Sequence, residues 1–315
     1  NSADYDQQLA SLAGDINDPQ EIFLHLAIQD IQQAADLLMP LYQKSNALDG
    51  YISLEVNPDM AHDTEATTAE VKRLWQWVDK PNLMVKIPAT EAGLPAIRDS
   101  IAEGINVNVT LIFSRNRYKK VMDAYLSGLE IRAKAGNSVH NIASVASFFV
   151  SRMDSNVDKK LEAISTSEAN KLTGKSAVAN ARLAYQEFKE YFTTDRFLRL
   201  SAQGARIQRP LWASTSTKNP SYPDTLYVDE LVVPNTVNTV PQETLEALLD
   251  HARTDIVIAD HIQEDERVMT DLKKVGVDID QVTQELEDEG VRKFADSYHS
   301  LLSTIQEKIT KESVS

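Results

Sequence analysis

The stretch Leu83-Met-Val-Lys-Ile-Pro-Ala-Thr90 decides how this chain is read. It has the make-up of a short apolar strand with one lysine in its middle. Pro88 suits the C-terminal end, where the chain leaves the sheet and no longer needs an N–H. Alternation sends Leu83, Val85 and Ile87 to one face and Met84, Lys86 and Pro88 to the other. An ammonium among apolar neighbours is costly unless its charge is paired or suppressed. Desolvation is also how a lysine amine becomes a nucleophile for a carbonyl carbon. Taken alone, the strand leaves a plainer alternative open: a lysine at an exposed edge, or one that snorkels to water.

Outward from this strand, strand and helix patterns alternate. Upstream, helical signals cover 3–13, a helix follows the Asp18-Pro19-Gln20-Glu21 cap, Tyr51–Asn57 is a strand, and 66–79 is a helix. Downstream come a helix over 92–103, a strand over 106–113, a helix over 115–135 and a strand from Ser144 to Ser151 that ends in Arg152. Residues 153–200 read as helix in two or three pieces. Strands follow at Arg209–Thr215 and Thr236–Val240, then a helical tail from 242 with breaks expected near Gly276 and Gly290. Six strands alternating with helices predict an α/β chain with a parallel sheet. No linker, low-complexity segment or repeat divides it, so residues 1–315 read as a single barrel-sized domain.

Composition narrows the chemistry. The 315 residues contain no cysteine, which excludes disulfides and Cys-ligated metal centres and suits a reducing compartment. A formal net charge of -15 with no basic run makes nucleic acid and anionic membranes poor partners. An anionic small substrate would need its own cations in the pocket. There is no signal-peptide pattern and no apolar run long enough to span a bilayer. The six histidines show no metal-ligand spacing and read as structural or surface residues.

The strand interiors are more telling. In Tyr51–Asn57, Ile52, Leu54 and Val56 share one face and Ser53, Glu55 and Asn57 the other. In 106–113, Val107, Val109, Leu111 and Phe113 oppose Asn106, Asn108 and Thr110. Three neighbouring strands thus offer an apolar face outward and Glu55, Lys86, Asn108 and Thr110 inward, where a barrel filled for stability alone would hold branched aliphatics. Each has an ordinary alternative as part of a surface strand. Together they are the equipment of a Schiff-base enzyme, in which an amine attacks a ketone and a carboxylate moves protons. Ser147 and Arg152 on one late strand, with Ser216 and Lys218 just beyond the next, fit a phosphate clamp. Surface charges and a serine-rich turn are the plainer alternative. Gly174-Lys175-Ser176 only imitates a P-loop, since the first glycine of that motif would fall at Ala169.

Five stretches in order, Ser53-Leu-Glu-Val56, Val85-Lys-Ile-Pro-Ala-Thr90, Val107-Asn-Val-Thr-Leu-Ile-Phe-Ser114, Ala143-Ser-Val-Ala-Ser-Phe-Phe-Val-Ser-Arg152 and Gln208-Arg-Pro-Leu-Trp-Ala-Ser-Thr-Ser-Thr-Lys-Asn219, resemble the strand motifs of transaldolases, the longer bacterial and plant type best. The resemblance implies a TIM (β/α)8-type barrel of the class I aldolase kind. It implies transfer of a dihydroxyacetone unit, from sedoheptulose 7-phosphate to glyceraldehyde 3-phosphate giving erythrose 4-phosphate and fructose 6-phosphate. That reaction belongs to the pentose phosphate pathway in the cytoplasm and needs no cofactor or metal. Position by position, the resemblance makes Lys86 the Schiff-base lysine and Glu55 the acid–base working through a water that Thr110 holds. Asn108 and Ser147 would bind the dihydroxyacetone moiety, and Arg152, Ser216 and Lys218 the phosphate. Some branches carry arginine where Lys218 stands, which here makes a fork into a point charge.

One departure accompanies the resemblance. Transaldolases open with an aspartate-bearing strand and a second strand ending Thr-Ser-Asn-Pro-Thr, and neither motif is found here. With six strands read where eight are usual and Asn1 at the start, the expectation is a chain lacking those two strands and an open barrel. Two other functions stay in view: a simple Schiff-base aldolase, and a catalytically impaired fragment that only binds sugar phosphate. The oligomeric state is not readable from the sequence.

Overall fold

A computed structural model describes residues 5–253 and 261–312. The strands are β1 (Ile52–Glu55), β2 (Leu83–Pro88), β3 (Val107–Ile112), β4 (Ser144–Phe149), β5 (Arg209–Ala213) and β6 (Val237–Asn238). They form one sheet, all parallel and in chain order, an α/β half-barrel. Among the described residues β1 and β6 are its edges and do not pair with each other.

Helices α1 (Asp6–Ala13) and α2 (Pro19–Lys44) precede the sheet; α3 (Thr64–Val78), α4 (Gly93–Glu103) and α5 (Arg115–Lys134) follow β1, β2 and β3. After β4 come α6 (Ser151–Ile164), α7 (Ser167–Asn170), α8 (Ser176–Tyr191) and α9 (Asp195–Ser201). After β5 come α10 (Leu226–Asp229), then α11 (Gln242–His251), α12 (Ile262–Lys274) and α13 (Ile279–Glu312). The segment 153–200 is therefore four helices where two or three were expected. Ser165 and Gly174 turn left-handed at φ 58° and 73°, and the Thr166 hydroxyl caps α7 on Ala169 N–H. Parts of the expected first helix and of the tail, residues 3–4, 254–260 and 313–315, lie outside the described residues.

The alternation read from β2 holds: Leu83, Val85 and Ile87 are fully buried. They belong to a single apolar cluster that also takes in β1, β3, β4, β5 and the helices α3 to α8. Two sequence expectations are corrected. Leu111 does not continue the outward face of β3. It sits in a bulge at φ 58°, where the register to β4 shifts between Val109 and Ile112, and its side chain turns toward α13. And Gly290 does not break the tail, because α13 runs unbroken from Ile279 to Glu312.

The reason is close approach. A Cβ on Gly290 would lie 2.9 Å from Leu111 Cδ2, so glycine lets the helix settle on the end of β3. The break at Gly276 is real, with φ 95° and Val277 N–H donating to Leu272 C=O. Gly290→Leu is expected to destabilise by about 1–3 kcal/mol through overpacking, even though leucine restores roughly 1 kcal/mol of helix propensity. Urea unfolding at constant m-value checks this. A midpoint no lower than that of the parent chain would refute the packing argument.

α13 crosses the C-terminal side of the sheet. Its Glu287 meets Arg117 of α5 at 3.2 Å, Gly290 rests on β3, and Phe294 stands over Lys86 of β2. His299 reaches Asp59, in the turn after β1, at 3.0 Å. Ile305 and Ile309 then join Leu9, Ile22 and Leu26 of α1 and α2 in a second, smaller apolar cluster.

Candidate active site

The register of the sheet brings the expected residues into one row. Glu55 pairs with Lys86 across β1–β2, and Lys86 with Asn108 across β2–β3. All three side chains therefore leave the same face of adjacent strands. Lys86 Nζ lies 3.4 Å from Glu55 Oε2, and each side chain is 24% exposed. Burial pushes the Glu55 carboxyl above the ordinary carboxylate range, and the nearby Lys86 ammonium only partly offsets that rise.

Asn108 is locked from both sides. Its Nδ2 donates to Ser53 Oγ at 3.0 Å, and its Oδ1 accepts from Ser147 Oγ at 2.7 Å. These two bonds fix which end of the amide faces which neighbour. Thr110 is fully buried two residues further along β3, with its Oγ1 bonded to no protein atom. A hydroxyl left so is unfavourable in a finished core and suits a wall that meets a polar ligand.

Arg152 is not at the end of a strand, as the sequence suggested, but in the first turn of α6. β4 stops at Phe149, because Val150 already has helical φ and ψ signs. The guanidinium stacks over the Phe149 ring at 5.1 Å, and burial pulls its pKa below the ordinary arginine value against the opposing effect of Glu289. A positive helix start and a fork-shaped cation together favour an anion. Ser216 is half-buried and Lys218 exposed, with Lys218 Nζ donating to Ser216 Oγ at 2.7 Å.

The segment carrying Ser216 and Lys218 is bracketed to α6. Ser151 Oγ lies 2.9 Å from Ser214 Oγ, Tyr222 donates to Asp158 at 2.7 Å, and Tyr227 donates to Asp154 at 2.9 Å. Asp154 also accepts from Ser176 Oγ and Ala177 N–H, and Asp158 from Gly174 N–H. The Gly174-Lys175-Ser176 triplet thus spends these donors on two carboxylates of its own chain. A cleft of about 370 Å³ where α5 and α8 face the α12–α13 turn holds none of the expected site residues.

Several contributors escaped the sequence reading. Ser53 was on the inward face of its strand, but only the structure shows it holding Asn108. Phe294 and Glu289 come from α13 and carry no local signal. Phe294 puts its ring 5.6 Å from Lys86 Nζ, and Glu289 acts on Arg152 through space. An amine beside a carboxylate of raised pKa, facing a fixed amide and hydroxyls, has the parts for imine chemistry on a polar carbonyl compound.

Comparison with known proteins agrees in extent as well as content. Residues 1–305 match the family described as transaldolase/fructose-6-phosphate aldolase. The chain is 52% identical over 309 residues to a transaldolase of Parafrankia sp. (strain EAN1pec), covering 97% of this chain and 83% of the relative. It is 52% identical over 303 residues to a transaldolase of Mycolicibacterium smegmatis, covering 96% and 82%. With a transaldolase of Thermobifida fusca the identity is 51% over 306 residues, covering 97% and 83%. Matched from its first residue to beyond the middle of α13, the row of Glu55, Lys86 and Asn108 included, the chain belongs to the transaldolase/fructose-6-phosphate aldolase family.

Proposed function

We propose that this protein is a transaldolase that carries a dihydroxyacetone unit on Lys86 from a ketose phosphate to an aldose phosphate. The observation that carries the proposal is Lys86 Nζ at 3.4 Å from Glu55, in a strand whose other residues are apolar. Glu55 takes a proton from the Lys86 ammonium, and the free amine adds to the donor ketone. The resulting carbinolamine loses water to give an iminium. Carbon–carbon cleavage, with the proton of the hydroxyl on the departing carbon passing through a water to Glu55, releases the first aldose and leaves an enamine. The enamine adds to the incoming aldehyde, whose oxygen takes the proton back. Hydrolysis of the new iminium frees the product and Lys86. The cationic nitrogen is the electron sink, so the sequence of steps draws on no metal or cofactor.

In this reading Glu55 works through a water held by Thr110. Asn108 and Ser147 hydrogen-bond the dihydroxyacetone moiety. Arg152, Ser216 and Lys218 hold the phosphate at the start of α6. The favoured pair of substrates is sedoheptulose 7-phosphate with glyceraldehyde 3-phosphate. The single apolar cluster running through the sheet and α3 to α8 supports one domain, and the cysteine-free composition suits the cytoplasm. No described helix is long and apolar enough to cross a membrane.

Borohydride reduction in the presence of fructose 6-phosphate tests the proposal. Peptide mass analysis is expected to find a dihydroxyacetone-sized adduct on Lys86, and erythrose 4-phosphate should suppress it by accepting the unit. A folded chain with no adduct on Lys86 would overturn the reading. An adduct insensitive to the acceptor would reduce it to a simple aldolase.

A further inference from the structure

We infer that Phe294 of α13 is the cation-stabilising partner of the Lys86 nitrogen, holding its positive charge through iminium formation. The inference rests on Lys86 being the Schiff-base lysine. The face of the Phe294 ring lies 5.6 Å from Lys86 Nζ, within the range in which an aromatic quadrupole attracts a cation. The ring is half-buried and packs against the main core, so its contact with the nitrogen is partly desolvated.

Its position is over-determined. One turn earlier Gly290 sits against Leu111, and two turns earlier Glu287 is paired with the buried Arg117. One turn later Tyr298 meets Phe23 edge-on at 5.6 Å, and His299 binds Asp59. These anchors on both sides leave Phe294 little freedom to swing away.

The chemistry gives the ring its use. An ammonium and a ketone become an iminium and water, so one positive charge stays on the same nitrogen at both ends of the step. The carbinolamine between them and the enamine after cleavage are neutral there. Glu55 is neutral while it carries the proton taken from the ammonium and recovers its charge when it returns that proton to the departing hydroxyl. An aromatic face does not titrate and favours the cationic forms without binding the proton. Phe294 thereby favours the iminium, from which the carbon–carbon bond breaks, over the free amine, the carbinolamine and the enamine, all of which are neutral at the nitrogen.

The test uses the full chain with dihydroxyacetone as probe, which forms the iminium without any cleavage, and cyanoborohydride as trap. In alkaline buffer, where the amine rests neutral and the charge appears only on iminium formation, Phe294→Leu, which keeps an apolar filler but removes the quadrupole, is expected to lower the initial rate of Lys86 trapping by about twofold to thirtyfold. Phe294→Tyr and Phe294→Trp keep the aromatic face and are expected to trap at or near the parent rate. Circular dichroism melts confirm that each variant is folded. Trapping by Phe294→Leu at the parent rate would overturn the inference while leaving the Lys86 reading intact. So would equal losses in the Leu, Tyr and Trp variants, which would assign the ring to packing alone. No trapping on Lys86 in the parent chain would remove the reading itself, and the inference with it.

Discussion

Lys86→Met is expected to lower kcat/KM for transfer from fructose 6-phosphate to erythrose 4-phosphate by at least about 10⁴-fold, because it removes the covalent route. Methionine has nearly the length of lysine and is apolar, so it fits the wall made by Met84, Pro88 and the ring of Phe294. Glu55 then loses the cation that offsets its burial, and its carboxyl, already pushed up, holds its proton more tightly still. A neutral glutamic acid removes the cost of an unpaired buried charge, so the variant is expected to fold. Lys86→Arg should be as inactive, because a guanidinium stays charged and does not attack carbonyls. The measurement is a coupled transfer assay on protein whose unfolding midpoint matches the parent. Residual activity within tenfold of the parent, free of contaminating enzyme, would mean that another group carries the dihydroxyacetone.

The second large effect belongs to Glu55. Glu55→Gln preserves shape but can neither take nor return the proton, and general acid–base losses of roughly 10²- to 10⁴-fold are expected. The pH profile carries a sharper signature. Glu55 must be ionised to act as base, and its pKa in the folded chain is raised by burial. The acidic limb of kcat/KM in the parent should therefore lie above the ordinary glutamate value, and it should vanish in the Gln variant. Stability follows the same shift with a definite sign. The native state holds this proton more tightly than the unfolded chain. Glu55 thus makes the protein lose stability as pH rises from the ordinary glutamate value through the raised folded one, with no further change beyond it. An acidic limb that survives in Glu55→Gln would move the proton-transfer role to another group.

Most of the site could be read because it sits on neighbouring parallel strands, where a period of two states which side chains share a wall. Glu55, Lys86 and Asn108 needed only that period and the chain order of the sheet. Thr110 followed from Asn108 before the bulge, whereas Leu111, one residue later, did not, because one left-handed residue ends the alternation. Arg152 was placed at the end of a strand and lies in a helix: an apolar run followed by Ser151 does not reveal where a strand gives way to a helix. Ser53 faced the right way, yet only its bond to Asn108 gives it a role. The α13 contributions were out of reach for a different reason. Gly290 looks like a helix breaker in its local context, and its use depends on a leucine far away in the chain. Phe294 meets Lys86 only because anchors on either side lay the helix across the sheet. No local periodicity records that.

The path of α13 has a consequence for synthesis. At the usual pace of translation, roughly 200 residues separate Lys86 from the ring that covers it, or about 10–40 s on a ribosome. The strands that present Glu55, Lys86 and Asn108 emerge early, and their pairings are local in the chain. The helix that roofs them comes much later in the chain and must close contacts as distant as Asp59 with His299, 240 residues apart. During that interval the nascent chain exposes the Lys86 side chain with neither its aromatic cover nor its finished mouth. Maturation of the enzyme is then the docking of one late helix, and adducts formed on Lys86 before that event would mark chains that met a carbonyl compound before they were finished.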